Sequence, residues 1–351
     1  MESGFALWLN GSFIGYSENS FDPAEFELTP YLKGEGENKL AVRVFRFTSS
    51  SWAEDQDFFR FSGIYRSVFL YTVPDAHVED IRIRTDLDAT LRHAVLKVRL
   101  QAQAGQDLTG ADVTAVLERE GTRIWSRTVP FTAVTEFEAA VTEPALWSAE
   151  QPDLYDLKIE IRRQNGDGSI LQEVIRQHAG FRRFEMDPKR HLMMLNGKRI
   201  VFRGVNRHDF SSKTGRAITK EEVLQDIVTM KRSNINAIRT SHNPNASMLY
   251  ELCDVYGLYM IAESNLEAHG AWDAATKRGL SSGTVDDSYK VPGDRENFRD
   301  MMFDRIRSCY QRDKNHPSIL IWSIGNESSG GKIPFEMSEL FRSLDDTRLV
   351  H

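Results

Sequence analysis

Two periods of hydrophobicity divide this chain near residue 183. Before that point apolar and polar residues alternate in short runs, the period-two signature of half-buried strands. ALWLNGSFIGYS predicts two strands joined at Asn10-Gly11, a dipeptide suited to a type I′ hairpin because both central residues must take positive φ. KLAVRVFRF, near Leu40, and RSVFLYTV, from Arg66, alternate in the same way. DIRIRTDLD, AVLKVRLQAQ, VTAVLERE and LYDLKIEIRRQ carry the pattern through residues 76–183, where short strands at this spacing predict a β-sandwich.

After GFRRFEMDPKRHLMMLNGKRI the pattern changes. RIVFRGVN reads as a strand and TKEEVLQDIVTMKRS as a helix, opened by the capping-box pair Thr219 and Glu222, with Val223, Leu224, Ile227 and Met230 on one face. The strand INAIRTSH, the helix SMLYELCDVYG and the strand LYMIAESN follow. A helix over roughly 294–313, the strand SILIWSIGNE and the helix FEMSELFRSL come next, and Leu349-Val350 opens a fifth strand. Strand–helix alternation requires a parallel sheet with crossover helices. Each strand ends in polar residues: Asn206, Arg207 and His208; Arg239 and His242; Glu263 and Asn265, with Glu267 and His269 just after; Asn326 and Glu327. Such carboxyl ends are where (β/α)8 barrels build their sites. A doubly wound sheet would collect its ligand at one switch point, usually beside a glycine-rich phosphate loop. GNESSGGK misses the P-loop spacing and lacks Ser or Thr after Lys332. The fold class expected is multidomain β plus α/β, divided as 1–75, 76–183 and 184–351, the last holding the first half of a TIM barrel.

Composition narrows the function. At 351 residues the chain exceeds one ordinary core. It is 40% hydrophobic and 27% charged, with no apolar run long enough for a membrane helix. A net charge of −7, without a Lys/Arg block, speaks against nucleic acid as a partner. Cys253 and Cys309 are the only cysteines and lie far apart, which fits a reducing compartment. MESGFALWLNG lacks the basic and then apolar run of a secretory signal, so a cytoplasmic protein is expected provided Met1 is the true start.

Glu327, just past the apolar run SILIWSIG, leads the candidates for catalysis. Glycoside hydrolysis needs two carboxyl groups flanking the scissile bond, one to protonate the leaving oxygen. Asn326 beside it could hydrogen-bond a sugar hydroxyl; read locally, Glu327 is also an N-cap or a loop carboxylate. Glu267 and His269 can point the same way in an extended segment. A carboxylate with an imidazole suits a divalent ion, and Mg²⁺, Mn²⁺ or Zn²⁺ all fit that chemistry. His208 and His242 could steady a developing charge, or be satisfied structural residues. Arg239 could orient a carboxylate through its fork of donors, or form an ordinary ion pair. His316, before Pro317, reads as structural, and EDQD at 54–57 reads locally as a solvated acidic loop.

GVNRHDF, IRTSHNPN, DVYGLYMIAESNLEAHG and WSIGNES, in this order and spacing, resemble the β-galactosidases of glycoside hydrolase family 2. EDQDFFRFSGIYRSV is similar to that group's loop reaching into the galactose pocket. The resemblance covers essentially the whole chain. It implies a jelly-roll sugar-binding domain, an immunoglobulin-like sandwich and a (β/α)8 barrel. It implies that Glu327 is the acid/base and, with Glu267 and His269, a ligand of Mg²⁺. Asn326 would read the sugar 2-hydroxyl, His208 and His242 would lie near the galactose, and Arg239 would steady the nucleophile. Asp57 would bind galactose hydroxyls and a Na⁺ ion. A terminal β-D-galactoside is the substrate implied, and a homo-oligomer the assembly of the full-length protein. The nucleophile of this family is a second glutamate on barrel strand seven, for which nothing up to residue 351 stands. The jelly roll also enters part-way through, so the expectation is a fragment cut at both ends. Such a fragment would be inactive by itself, with exposed sheet edges that favour aggregation or pairing. A family 2 β-glucuronidase or β-mannosidase, or a non-catalytic carbohydrate-binding protein, are the other readings; the EDQD loop, and NES in place of NEP, favour galactose.

Overall fold

The computed structural model describes residues 1–166, 168–277 and 290–351. Alternation becomes antiparallel pairing in the first domain: β1 (Gly4–Leu9) lies between β2 (Ser12–Ser17) and β3 (Leu40–Phe45). The β1–β2 turn puts both Asn10 (φ 54°) and Gly11 (φ 87°) at positive φ, as the hairpin type demands. β4 (Glu54–Asp55) leaves this domain and pairs elsewhere.

RSVFLYTV departs from expectation. It forms no strand, and Val68, Phe69, Leu70 and Tyr71 stand exposed. Alternation marks a segment able to pair, but a strand exists only where a neighbour takes its backbone donors and acceptors.

The second domain is a two-sheet sandwich. β5 (Val78–Leu87), β6 (His93–Ala102) and β9 (Val134–Thr142) form one sheet. β7 (Ala111–Arg119), β8 (Thr122–Pro130), β10 (Tyr155–Asn165) and β11 (Gly168–Ala179) form the other, in the order β11-β10-β7-β8. Alternate residues such as Leu96, Leu100, Val113, Leu117, Ile159 and Ile161 point inward and fill the space between them. A small antiparallel sheet of β12 (Phe184–Asp187), β13 (Leu192–Leu195) and β14 (Lys198–Arg199) then leads into the third domain.

There β15 (Gly204–Arg207), β16 (Ala237–Thr240), β17 (Tyr259–Glu263), β19 (Ile319–Ser323) and β20 (Leu349–Val350) form one parallel sheet in that order. The intervening β18 (Glu267–Ala268) belongs to a loop. Sequential order without a reversal is the arrangement of a barrel and not of a doubly wound sheet. Every residue of β19 is buried, which is why its sequence does not alternate. β15 begins later than RIVFRGVN suggests, at Gly204.

The crossover helices are α1 (Lys220–Arg232), α2 (Ser247–Tyr256), α4 (Arg299–Asp313) and α5 (Lys332–Leu344); the short α3 (His269–Lys277) has no counterpart in the sequence reading. Thr219 and Glu222 cap α1 reciprocally, and Val223, Ile227 and Met230 are its buried face. α4 starts later than the apolar spacing suggests, after a 3-10 turn at Glu296–Phe298. α2 ends at Gly257 in the left-handed region (φ 74°), where a Cβ would sit 2.4 Å from the Ala149 carbonyl oxygen. Only glycine lets the barrel approach the sandwich so closely at that point. Among the described residues no helix is long and apolar enough to cross a membrane.

The end of α5 and the start of β20 are tied by Asp345. It is buried and accepts from Trp322 Nε1 at 2.9 Å, from the Thr347 amide at 2.9 Å and hydroxyl at 2.6 Å, and from Arg348 at 2.5 Å. Burial alone would raise its pKa, but Arg348, Thr347 and Trp322 outweigh it and hold the carboxyl far below the usual range. A depressed carboxylate adds stability that is present above its unfolded pKa and lost progressively as pH falls below that value toward the folded pKa. Asp345→Asn should therefore cost about 3 kcal/mol in urea unfolding at pH 7. The gap to the unsubstituted chain should narrow below about pH 4.

Candidate active site

The site grows from the carboxyl ends of four strands. Glu263, the last residue of β17, is fully buried, and each of its oxygens is occupied. Oε2 accepts from Arg239 Nε and from the Ser323 hydroxyl, both at 2.7 Å, and Oε1 lies 2.8 Å from His242 Nδ1. A carboxylate at this depth is tolerated only when paired and hydrogen-bonded, and neighbouring strands supply both partners. Arg239 reaches on through Nη2 to Asn326 Oδ1 at 2.9 Å, so the Asn326 amide is aimed by the same group.

The loops after β17 and β19 are closely joined. Asn326 donates its backbone N–H to Leu266 at 2.9 Å, and Ala268 donates to the Glu327 carbonyl at 3.3 Å. Gly325 stands at φ 153°, where a Cβ would lie 2.4 Å from the Leu266 carbonyl oxygen. The glycine of WSIGNES is what allows Asn326 and Glu327 to turn back over the sheet.

The acidic loop of the first domain completes the mouth. β4 pairs in parallel with β18, and Glu267 donates its N–H to Ala53 at 2.8 Å. Glu54 is buried against Arg305 Nη2 (2.8 Å) and Asn265 Nδ2 (2.6 Å), and also accepts from the Ser20 hydroxyl. Gln56 donates to Asn265 Oδ1 at 3.0 Å, and Asp55 pairs with Arg60 and accepts from the Gly270 amide. EDQD is thus an interdomain joint, not the solvated loop its local composition suggests. Long-range partners, invisible to a window of four residues, make the difference.

Glu267, His269 and Glu327 converge, each offering one ligand atom within 4.8 Å of the other two. His269 Nδ1 is 2.9 Å from Glu327 Oε2, and Glu327 is about half exposed to solvent. Glu267 Oε1 accepts from the Asp57 amide at 3.2 Å, while its buried Oε2 has no hydrogen-bond partner among the described residues. A buried carboxylate oxygen left without a donor is costly unless a cation completes it, and two carboxylates with an imidazole form a donor set that a divalent ion accepts. Burial raises the Glu267 pKa, only partly offset by the Asp57 amide. Partial burial pulls His269 down, but its bond to Glu327 and the surrounding carboxylates raise it overall. Asp57 reaches the cluster through its backbone; its carboxylate lies outside the three-residue set.

His208 packs edge-on against His242, with ring centroids 5.4 Å apart, and stacks on Phe58 at 5.3 Å. Burial, followed by His242, Arg216 and Arg239, lowers its pKa. His316 lies elsewhere, with Nδ1 2.6 Å from Asp254. All the candidates except His316 therefore gather at one mouth. Sequence marks Glu263 only as a polar strand end, and gives Gln56, Asn265 and Phe58 no role. A charged residue closing a run as apolar as LYMIA is the one signal that points to a buried, obligatorily paired carboxylate.

Comparison with known proteins bears on the chemistry. Residues 1–74 match the sugar binding domain of the glycosyl hydrolases family 2, residues 76–182 a second domain of that family, and residues 187–351 its TIM barrel domain. The β-galactosidase of Halalkalibacterium halodurans is 49% identical over 352 residues, covering 100% of this chain and 33% of that protein. The β-galactosidase of Clostridium acetobutylicum is 48% identical, covering 100% and 38%. The chain thus spans about a third of the length of these relatives. Among solved structures, a β-glucuronidase of Parabacteroides merdae superposes with TM-score 0.82 at 21% identity, covering 99% of this chain and 44% of that one. A β-glycosidase from Bacteroides vulgatus gives 0.78 at 27% identity, covering 99% and 42%. At 21% identity the first of these likenesses speaks to fold alone.

The geometry makes Glu263 the support of the other side chains. Glu263→Gln should leave Arg239 without its counter-charge and cost about 3–5 kcal/mol of stability in urea unfolding. The variant should also show altered histidine NMR resonances for His242.

Proposed function

Since the chain belongs to family 2 of the glycosyl hydrolases, we propose that it works as part of a β-galactosidase that removes terminal β-D-galactose with retention. The observation that carries this reading is Glu327. Its carboxyl group is half exposed at the strand ends, bonded to His269, next to an Asn326 amide fixed by Arg239. The curated relatives at 40–49% identity over this chain support galactose, being called β-galactosidases or their large subunits.

In the proposed cycle Glu327 protonates the departing glycosidic oxygen and later takes a proton from water. Retention requires a second carboxylate about 5–5.5 Å away as nucleophile. We assign that group to a part of the protein other than these residues, and Arg239 to orienting it. That carboxylate is anionic while free and neutral once esterified, a change of charge beside Glu327 that suits one group acting first as acid and then as base. Asn326 is placed to read the sugar 2-hydroxyl. His208, His242 and Asp57 border the space for the ring, and Asp57 is the proposed Na⁺ donor. Glu267, His269 and Glu327 would hold Mg²⁺, or Mn²⁺, and the orphaned Glu267 oxygen supports that assignment. When bound, the cation would supply positive charge beside the Glu327 carboxyl group.

In the full-length protein, Glu327→Gln should lower kcat on alkyl galactosides by about 10²–10⁴-fold, and less on aryl galactosides whose leaving groups need no proton. An unchanged rate on both classes would remove Glu327 from the mechanism. Across aryl galactoside, glucuronide and mannoside, only the galactoside should turn over well; preference for the glucuronide would overturn the substrate assignment. Glu267→Gln should weaken Mn²⁺ binding, followed by electron paramagnetic resonance, by at least about tenfold.

A further inference from the structure

A cavity of about 370 Å³ lies where the sandwich meets the barrel. Its wall combines β5, the connection after β11 and the loops that enter β19 and β20. Those loops stand at the amino ends of the strands, roughly 15 Å along the sheet from the carboxyl ends that carry Glu327. The cavity is therefore separate from the acid–base cluster.

Its charge is unbalanced. Six cationic and two acidic side chains line it. Four of the cations are neutralised: Arg84 by Asp86 and Asp346, both at 2.6 Å, Arg348 by Asp345 at 2.5 Å, Arg183 by Glu185 at 2.7 Å, and Lys314 by Asp80. The other two, Arg82 and Arg182, have no carboxylate partner among the described residues. Arg182 is 8% exposed, and donates from Nε to the Pro317 carbonyl and from Nη2 to the Ile319 carbonyl. Burial and then the neighbouring Arg348 lower its pKa to about 9, against the opposing pull of Asp345 and Asp254. Arg82 spends one nitrogen on the Leu344 carbonyl at 3.0 Å. A buried guanidinium without a counter-charge is strongly unfavourable unless an anion completes it.

We propose that this interdomain cavity binds a doubly charged oxyanion, a phosphate or a phosphate monoester, held between Arg182 and Arg82. Two guanidinium groups with no carboxylate in ion-pair contact match the charge of about −1.5 to −2 that a phosphate monoester carries at neutral pH, and their forks suit its oxygens. The volume exceeds what a bare phosphate fills and falls within the range of about 300–1,000 Å³ typical of small-molecule sites. Leu87 and Phe184 offer an apolar wall for the carbon part of an ester. The ligand would bridge β5 of the sandwich to the β19 and β20 loops of the barrel, so its occupancy would strengthen the docking of the two domains.

The test is isothermal titration of the full chain with inorganic phosphate and with glycerol 3-phosphate, at an ionic strength held constant with sodium chloride, paired with thermal unfolding. Saturable binding with a matching rise in Tm is expected for at least one probe. Equal affinity for both would identify free phosphate as the ligand, and tighter glycerol 3-phosphate a monoester. Arg82→Ala, at an exposed position, should weaken binding about tenfold, and Arg182→Met should abolish it. No binding beyond the chloride control, or unchanged affinity in Arg82→Ala, would overturn the proposal.

Discussion

A carboxylate with no access to water, Glu263, sets the geometry of the barrel mouth. Its charge must be met within the protein, and the side chains Arg239 and His242 that meet it come from the neighbouring strand β16 and the residues that follow it. Once Arg239 and His242 are drawn to Glu263, Arg239 has donors left for Asn326, and Asn326 brings Glu327 with it. Ser323, at the end of β19, completes the ring of donors. The reactive positions are thus consequences of neutralising one buried charge, and none is placed independently.

A second buried carboxylate performs the same service between domains. Glu54 draws Arg305 from α4 and Asn265 from the loop after β17. The short β4–β18 pairing then fixes Glu267 and Asp57 relative to each other. The first domain is in this sense part of the barrel's rim. Both carboxylates are worth more for fixing geometry than for net stability, because burying the charges offsets much of what their pairing contributes.

Much of this was legible in the sequence, for identifiable reasons. Period-two runs gave the sandwich because each has neighbours on both sides or one face on a core. Strand–helix alternation with polar strand ends gave the barrel, and the capping box of α1 appears in the structure as the residues suggest. RSVFLYTV misled because alternation reports the ability to pair and not the presence of a partner. The acidic loop misled for the converse reason, since Glu54 and Gln56 are satisfied by residues some two hundred positions away. The positions that converge at the site were marked by the family resemblance, whereas Glu263, which supports them, was not.

That long-range closure has a consequence for biosynthesis. Glu54 and Asn265 are 211 positions apart. At about 5–20 residues per second, the loop leaves the ribosome roughly 10–40 s before its counterpart exists. Throughout that delay the acidic segment must stay hydrated and open, and the mouth of the barrel can be sealed only after Asn265 has emerged. High contact order of this kind slows folding, so nascent chains would present an unfinished rim to chaperones throughout that interval.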